Sequence, residues 1–228
     1  MSLLRSFCIA FGMYSKIPMP KFEWNPKDMR YTMCFFPLVS IPIALLVLLW
    51  FYFCQWLHIH SFLFACVIAT IPVLVTGGIH LDGYCDTVDA LSSRQPREKK
   101  LEILKDPHCG AFAVIRLCSY FLVYFALCTC VSFTPRVGVL WVLALVLERA
   151  LSGLAVASFP MAKNTGLAHT FATAADKTVV RRVLAVLAAV LCVGMAALGG
   201  WALVLAAGCK EAVWSAASSA ERRLFSAL

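Results

Sequence analysis

Five stretches of about 20 mostly apolar residues limit what this chain can become, because a helix of that length matches the hydrocarbon thickness of a bilayer. They run over roughly 34–54, 61–78, 111–133, 137–159 and 183–207. Charged residues make up only 14% of the chain, against about 25% in an ordinary soluble domain, and 61% is hydrophobic. The expectation is an all-α integral membrane protein: one polytopic domain over 1–228, a bundle of about five transmembrane helices whose cytosolic loops form the site. Pro37 and Pro42 predict kinks in the first span, and Pro72 interrupts the second. Ahead of them, Leu3 to Met13 suits a short amphipathic or re-entrant helix, which Ile17-Pro-Met-Pro20 stops. No signal-peptide cleavage site follows it.

The loops between the runs supply orientation. The net charge of +8 is spread over several clusters, which is the pattern of a topology signal and not of a nucleic-acid surface. The segment before the first span holds Lys16, Lys21, Lys27 and Arg30, and the stretch from Ser92 to Lys100 is a polar loop rich in Lys and Arg. Pro160 to Arg182 forms another such loop, whereas the alternate loops carry only Arg136. Basic residues favour the cytoplasmic side, so the N-terminus and these loops are expected to face the cytoplasm. Eleven cysteines, none in a Cys-x-x-Cys pair and most inside apolar runs, indicate neither a disulfide framework nor a zinc site.

The second span delivers the chain to Thr76-Gly-Gly-Ile-His-Leu-Asp-Gly-Tyr-Cys-Asp-Thr-Val-Asp-Ala-Leu91. Asp82, Asp86 and Asp89 stand at i, i+4 and i+7, within about 60° of one another on a helix. Three aspartates in mid-bilayer would cost about 8 to 10 kcal/mol, more than the neighbouring Val, Ile and Leu offset. They belong at the water interface or in a polar cavity. A solvated first turn would accommodate any one of them. Three on one face are hard oxygen ligands of the kind Mg²⁺ prefers, so they form the candidate metal site.

Lys105 and Asp106 precede Pro107 and Gly110 in a turn on the same expected side. The lysine can neutralise phosphate oxygens, and the aspartate can ligate metal or accept a proton from an attacking hydroxyl; a solvated loop with a chance ion pair is the alternative. Asp82, Lys105 and Asp106 are the candidate catalytic residues. Arg149, inside the fourth span next to Glu148, is a candidate phosphate-binding group if it faces the bundle. Lys163 in the second polar loop and His108 beside the turn join it as candidate substrate-binding residues. Histidines such as His80 and His108 serve more often as hydrogen-bonding groups than as metal ligands. No nucleotide-fold or hydrolase motif occurs, and a carboxylate-rich mouth ringed by basic residues suits transfer of a phosphate-linked group.

Gly77 to Ala90, Leu104-Lys-Asp-Pro-His-Cys-Gly110, and Arg149 with Phe159-Pro160 and Gly166-Leu167 resemble, in order and spacing, the cobalamin synthase family, the adenosylcobinamide-GDP ribazoletransferases. Ile17-Pro-Met-Pro20 and Phe36-Pro-Leu-Val39 do so too, and the likeness covers roughly Leu3 to Gly200. It implies Mg²⁺-dependent joining of α-ribazole, or its 5′-phosphate, to adenosylcobinamide-GDP with release of GMP, in the cytoplasmic membrane. Asp82, Asp86 and Asp89 match the family's acidic motif, and Lys105 and Asp106 its Lys-Asp motif. Ala90 and Ser40 depart from the family's usual glycines. The expected partners are the two substrates and the lipid bilayer, with self-association or a complex with other cobalamin-assembly enzymes left open and no nucleic acid. A phosphotransferase of CDP-alcohol type would suit an Asp-Gly-x-x-Asp mouth, but its Asp-Gly-x-x-Ala-Arg pattern is missing. A transporter should show inverted repeats, which are not evident. The tail 208–228 lacks the family's Thr-Gly-Asp segment and final apolar span, so the expectation there is a truncated or frameshifted member with an interfacial tail and weak or absent catalysis.

Overall fold

Helix is the one fold that satisfies every backbone polar group within a single apolar segment, and every regular element among the described residues is helical. The computed structural model describes residues 2–20, 25–131, 134–159 and 167–199. Its helices are α1 Ser2–Tyr14, α2 Pro26–Met29, α3 Thr32–Phe35, α4 Ser40–Trp56, α5 Ser61–Thr76, α6 Ile79–Ser92, α7 Arg97–Ile103, α8 Ala111–Cys130, α9 Pro135–Ser158, α10 Leu167–Ala174 and α11 Lys177–Ala197. Two compact units emerge, Met1–Leu45 with Phe133–Leu228, and Leu46–Ser132.

In the first unit, α9 and α11 pack lengthwise. Leu140, Leu147 and Ala150 meet Ala188 and Met195 there. Gly153 lets the two helices approach, since a Cβ would stand 3.0 Å from a Leu184 methyl. A second cluster joins Ile9 of α1, Met29, Met33 and Phe36 to Ala157, Phe171, Val180 and Leu184. Polar ties fix its edges. Arg5 pairs with the buried Asp28 at 3.1 Å, and Arg30 pairs with Asp176, whose own N–H donates back to the Arg30 carbonyl. Asp176 also caps α11 by accepting from the Val179 N–H. The ion pair with Arg30 holds the Asp176 carboxyl below the usual carboxylate range.

In the second unit, α8 packs against both α5 and α6. Its most apolar window is only 11% buried, and Leu122 and Val123 are 69% and 60% exposed, so lipid must supply what protein does not. Among the described residues, four helical stretches are long and apolar enough to cross a membrane: Pro26–Trp56, Ala111–Cys130, Pro135–Ser158 and Lys177–Ala197. A fifth crossing arises if α5 and α6 count as one broken span, bent by 94°. These helices fit a multi-pass membrane protein.

Several expected boundaries move. The first span contains a 3₁₀ turn, Phe36–Val39, where Pro37 was expected to kink it, while Pro42 falls in the first turn of α4. Helix α5 runs through Pro72. The polar loop after Leu91 contains α7, whose first turn carries Glu98 beside the helix N-terminus. The second polar loop contains α10, and the last span starts at Lys177, six residues before the expected 183, because Asp176 caps it and carries Arg181 and Arg182 within the helix. That helix ends at Ala197, with Gly199 in the left-handed region at φ 71°, and residues 200–207 of the expected span lie outside the described residues. The tail 208–228 lies outside the described residues.

Candidate functional site

Two consecutive glycines build the turn that places the acidic helix. Gly77 and Gly78 both have positive φ, 67° and 81°, a conformation that costs a side-chain-bearing residue about 1–2 kcal/mol. Between them they end α5 and begin α6. Thr76 secures the corner: its hydroxyl donates to the Pro72 carbonyl and accepts from the Gly78 N–H. An apolar helix is thereby turned through 94° into one that carries three aspartates.

Asp82 lies in the first turn of α6, exposed, where the free N–H groups of the helix start favour its charge. Asp86 and Asp89 are half-buried on the same face. Seven residues of helix rise by about 10.5 Å, so the three carboxylates are strung along two turns and do not converge on a point. Among the described residues, no three His, Cys, Asp or Glu side chains gather closely enough to hold a metal ion.

Asp89 turns toward the start of α8. Its Oδ2 accepts the Gly110 N–H at 2.7 Å and its Oδ1 the Ala113 N–H at 2.9 Å. These are two of the four amides that a helix start leaves without intrahelical partners.

Between α7 and α8 lies the turn with Lys105 and Asp106, both exposed. The N–H groups of Lys105 and Asp106 donate to the Glu102 and Ile103 carbonyls, which closes the end of α7. Asp106 Oδ1 then accepts the His108 N–H at 2.9 Å, and His108 Nδ1 stands 2.7 Å from the same oxygen. These bonds hold the Asp106 carboxyl below the usual carboxylate range. Cys85 on α6 lies near Cys109 in the turn. The second unit therefore contains Asp82, Asp86, Asp89, Lys105, Asp106 and His108 on α6 and the turn that Asp89 closes.

Arg149 belongs to the first unit. It is buried, with its guanidinium 5.3 Å from the Phe36 ring centre and its Nε 3.3 Å from Glu148 Oε2. The local pairing with Glu148 is thus real, although neighbours on a helix point about 100° apart. Tyr14 of α1 lies near enough to feel the arginine's charge; burial pushes its phenol up to about 12, with Arg149 pulling the other way, so the hydroxyl stays protonated. Lys163 lies outside the described residues, as do Pro160 and Gly166. Neither the cap made by Asp89 nor the ring of Phe36 under Arg149 is visible as a local pattern. The nearest sequence signal is a glycine, Gly110, immediately before an apolar run.

Comparison with known proteins places these features in one lineage. The family model for cobalamin-5-phosphate synthase matches residues 6–225. An adenosylcobinamide-GDP ribazoletransferase of Lachnoclostridium phytofermentans is 46% identical over 195 residues, which cover 86% of this chain and 74% of that protein. One of the same name from Clostridium perfringens strain SM101 is 40% identical over 118 residues, 52% of this chain and 47% of its own. Another from Treponema denticola is 36% identical over 178 residues, 76% of this chain and 65% of its own. The chain therefore spans about three quarters, half and two thirds of these relatives' lengths. No solved structure matches it.

Proposed function

The chain belongs to the cobalamin-5-phosphate synthase family, and from that membership we propose that it joins α-ribazole, or its 5′-phosphate, to adenosylcobinamide-GDP with release of GMP. The observation that carries the reading is the family match over 6–225, which takes in both α6 and the Lys105–Asp106 turn.

The reaction exchanges one phosphorus–oxygen bond for another. GMP departs with one phosphate of the pyrophosphate, so a ribose hydroxyl must attack the other, which stays with the cobinamide. The new O–P bond forms as the bridging P–O bond breaks, GMP takes the electron pair, and the hydroxyl proton leaves. Such transition states are loose, so catalysis depends chiefly on positioning and on charge neutralisation. Lys105, a point charge on a flexible stem, suits the phosphate oxygens. Asp106 is a weak base because His108 holds its carboxyl low; it orients the hydroxyl by accepting its hydrogen bond, and the proton passes to solvent.

Magnesium fits the donor set at Asp82 and Asp86. They are hard oxygen donors one helical turn apart, and a magnesium ion in phosphate-transfer sites uses one or two carboxylates together with water and substrate phosphates. Bound there, it would offset the charge of the departing GMP. The protein's setting is then the cytoplasmic membrane, with the N-terminus, α6 and the Lys105 turn on the cytoplasmic side, as the Lys and Arg distribution favours.

Membranes containing the chain, supplied with adenosylcobinamide-GDP, α-ribazole and Mg²⁺, should release GMP only when all three are present. No release above that of control membranes overturns the assignment. For orientation, an outside-only thiol reagent should label a cysteine placed at His58 and not one placed at Ser93. The opposite labelling refutes the inward-facing site.

A further inference from the structure

We infer that Asp89 is a positioning residue: its carboxylate locks the acidic helix α6 to the turn carrying Lys105 and Asp106, and it is not a metal ligand. The inference rests on the transferase reading above for its kinetic consequence, while its structural content stands on geometry alone.

Three observations carry it. Both carboxylate oxygens accept backbone N–H groups of the α8 start, from Gly110 at 2.7 Å and Ala113 at 2.9 Å. Charge-assisted bonds of this kind are about twice as strong as neutral ones, and the partial positive charge of the helix start adds to them. Next, Gly110 is demanded by space and not by backbone angle. Its φ of −84° is open to any residue, yet a Cβ there would stand 2.7 to 2.8 Å from three atoms of the Asp89 carboxyl group. The carboxylate lies against the glycine face as a fitted part. Finally, the neighbourhood of the cap is packed: Ala90, next to Asp89, and Ala113, the second donor, are 3% and 0% exposed.

The turn between α7 and α8 is consequently pinned at both ends. At its start, α7 packs on α6 and closes through the Glu102 and Ile103 carbonyls. At its end, Gly110 is tied to α6 through Asp89. Lys105 and Asp106 lie between the two fixed points, five and four residues ahead of Gly110, so their place relative to Asp82 and Asp86 depends on this cap. A misplacement of about 1 Å at a transfer site can cost a hundredfold in rate.

The experiment compares Asp89→Asn, Gly110→Ala and their combination with Asp82→Asn and Asp86→Asn in the full-length protein. Asp89→Asn turns one acceptor into a donor facing a backbone N–H, and Gly110→Ala pushes the intact carboxylate away. Each should lower kcat by about 10- to 100-fold through misplacement of the turn, while the Mg²⁺ concentration for half-maximal rate stays within about twofold of the parent. The combination should be no worse than Asp89→Asn alone, because both remove one contact. Amide hydrogen exchange over 109–114 should quicken in both variants and stay unchanged in Asp82→Asn and Asp86→Asn.

An Asp89→Asn protein that needs about tenfold more Mg²⁺ with exchange over 109–114 unaltered makes Asp89 a metal ligand and overturns the inference. So does a Gly110→Ala protein with parental kcat and parental exchange. If the parent releases no GMP, the transferase reading fails, and the exchange arm alone still decides whether Asp89 holds the α8 start.

Discussion

Asp89 and Arg149 are both half-buried or buried charges in a chain that is mostly apolar, and the two regions around them keep such charges by opposite means. On α6 the carboxylate is met by backbone: two N–H groups at the start of α8 donate to it, where a helix end already presents donors without intrahelical partners. In α9 the guanidinium is met by side chains, the Phe36 ring and Glu148. Backbone donors are present whatever the sequence, so the first solution needs only one aspartate and a glycine. The second needs an aromatic from a distant segment, and it places the arginine's stem in the packed interior of its unit. Asp82, exposed on the same helix, can lose its charge cheaply in stability and dearly in chemistry, while the arginine region should show both costs.

The sharpest way to break that contrast is at Asp82 and Asp86. Each changed to Asn should cut GMP release by about a thousandfold or more, the scale for losing a group that stabilises transition-state charge, while thermal stability in detergent stays within about 0.5 kcal/mol. A large fall in melting temperature would show that these carboxylates hold the fold, and the comparison fails. Next in size, Arg149→Ala should destabilise the protein by about 2 to 3 kcal/mol through lost packing and lost ring contact, read as a lower midpoint in thermal unfolding. Arg149→Lys keeps the charge but not the planar stacking, and should recover only part of it. Unchanged unfolding in Arg149→Ala would mean the buried cation is idle.

Lys105→Ala should lower kcat by about 10- to 100-fold with unfolding unaltered, since the side chain is exposed and, among the described residues, its bonds run through the backbone. Parental turnover would return Lys105 to an ordinary solvated turn. The smallest effect concerns pH. A carboxyl held low by His108 is fully charged above the ordinary carboxylate range, and its contribution is lost only as pH falls below that range. Asp106→Asn should therefore reduce the rate without reshaping the pH profile between about 6 and 8, because the group does not titrate there. Loss of an acid limb in that interval would identify Asp106 as the general base.

What the amino-acid order determined by itself is what depends on near neighbours. Runs of apolar residues at Ala111–Phe133 and Val137–Phe159 became helices of nearly those bounds, because in lipid a single segment pairs its own backbone polar groups only as a helix. Gly77-Gly78 ended one helix and started another because only glycine holds positive φ twice without strain. Asp82, Asp86 and Asp89 share a face because helical spacing makes it so. Tertiary structure decided the rest. The 94° between α5 and α6, the helices α7 and α10 inside stretches that composition marks as polar loops, and the early start of α11 at Lys177 all depend on caps and packing beyond any apolar window. Above all it decided which partner each charge met. Asp89 and Gly110 are 21 residues apart, and Phe36 and Arg149 are more than a hundred apart in the chain. Such pairings follow from how helices dock, a property of summed side-chain packing that no local spacing encodes.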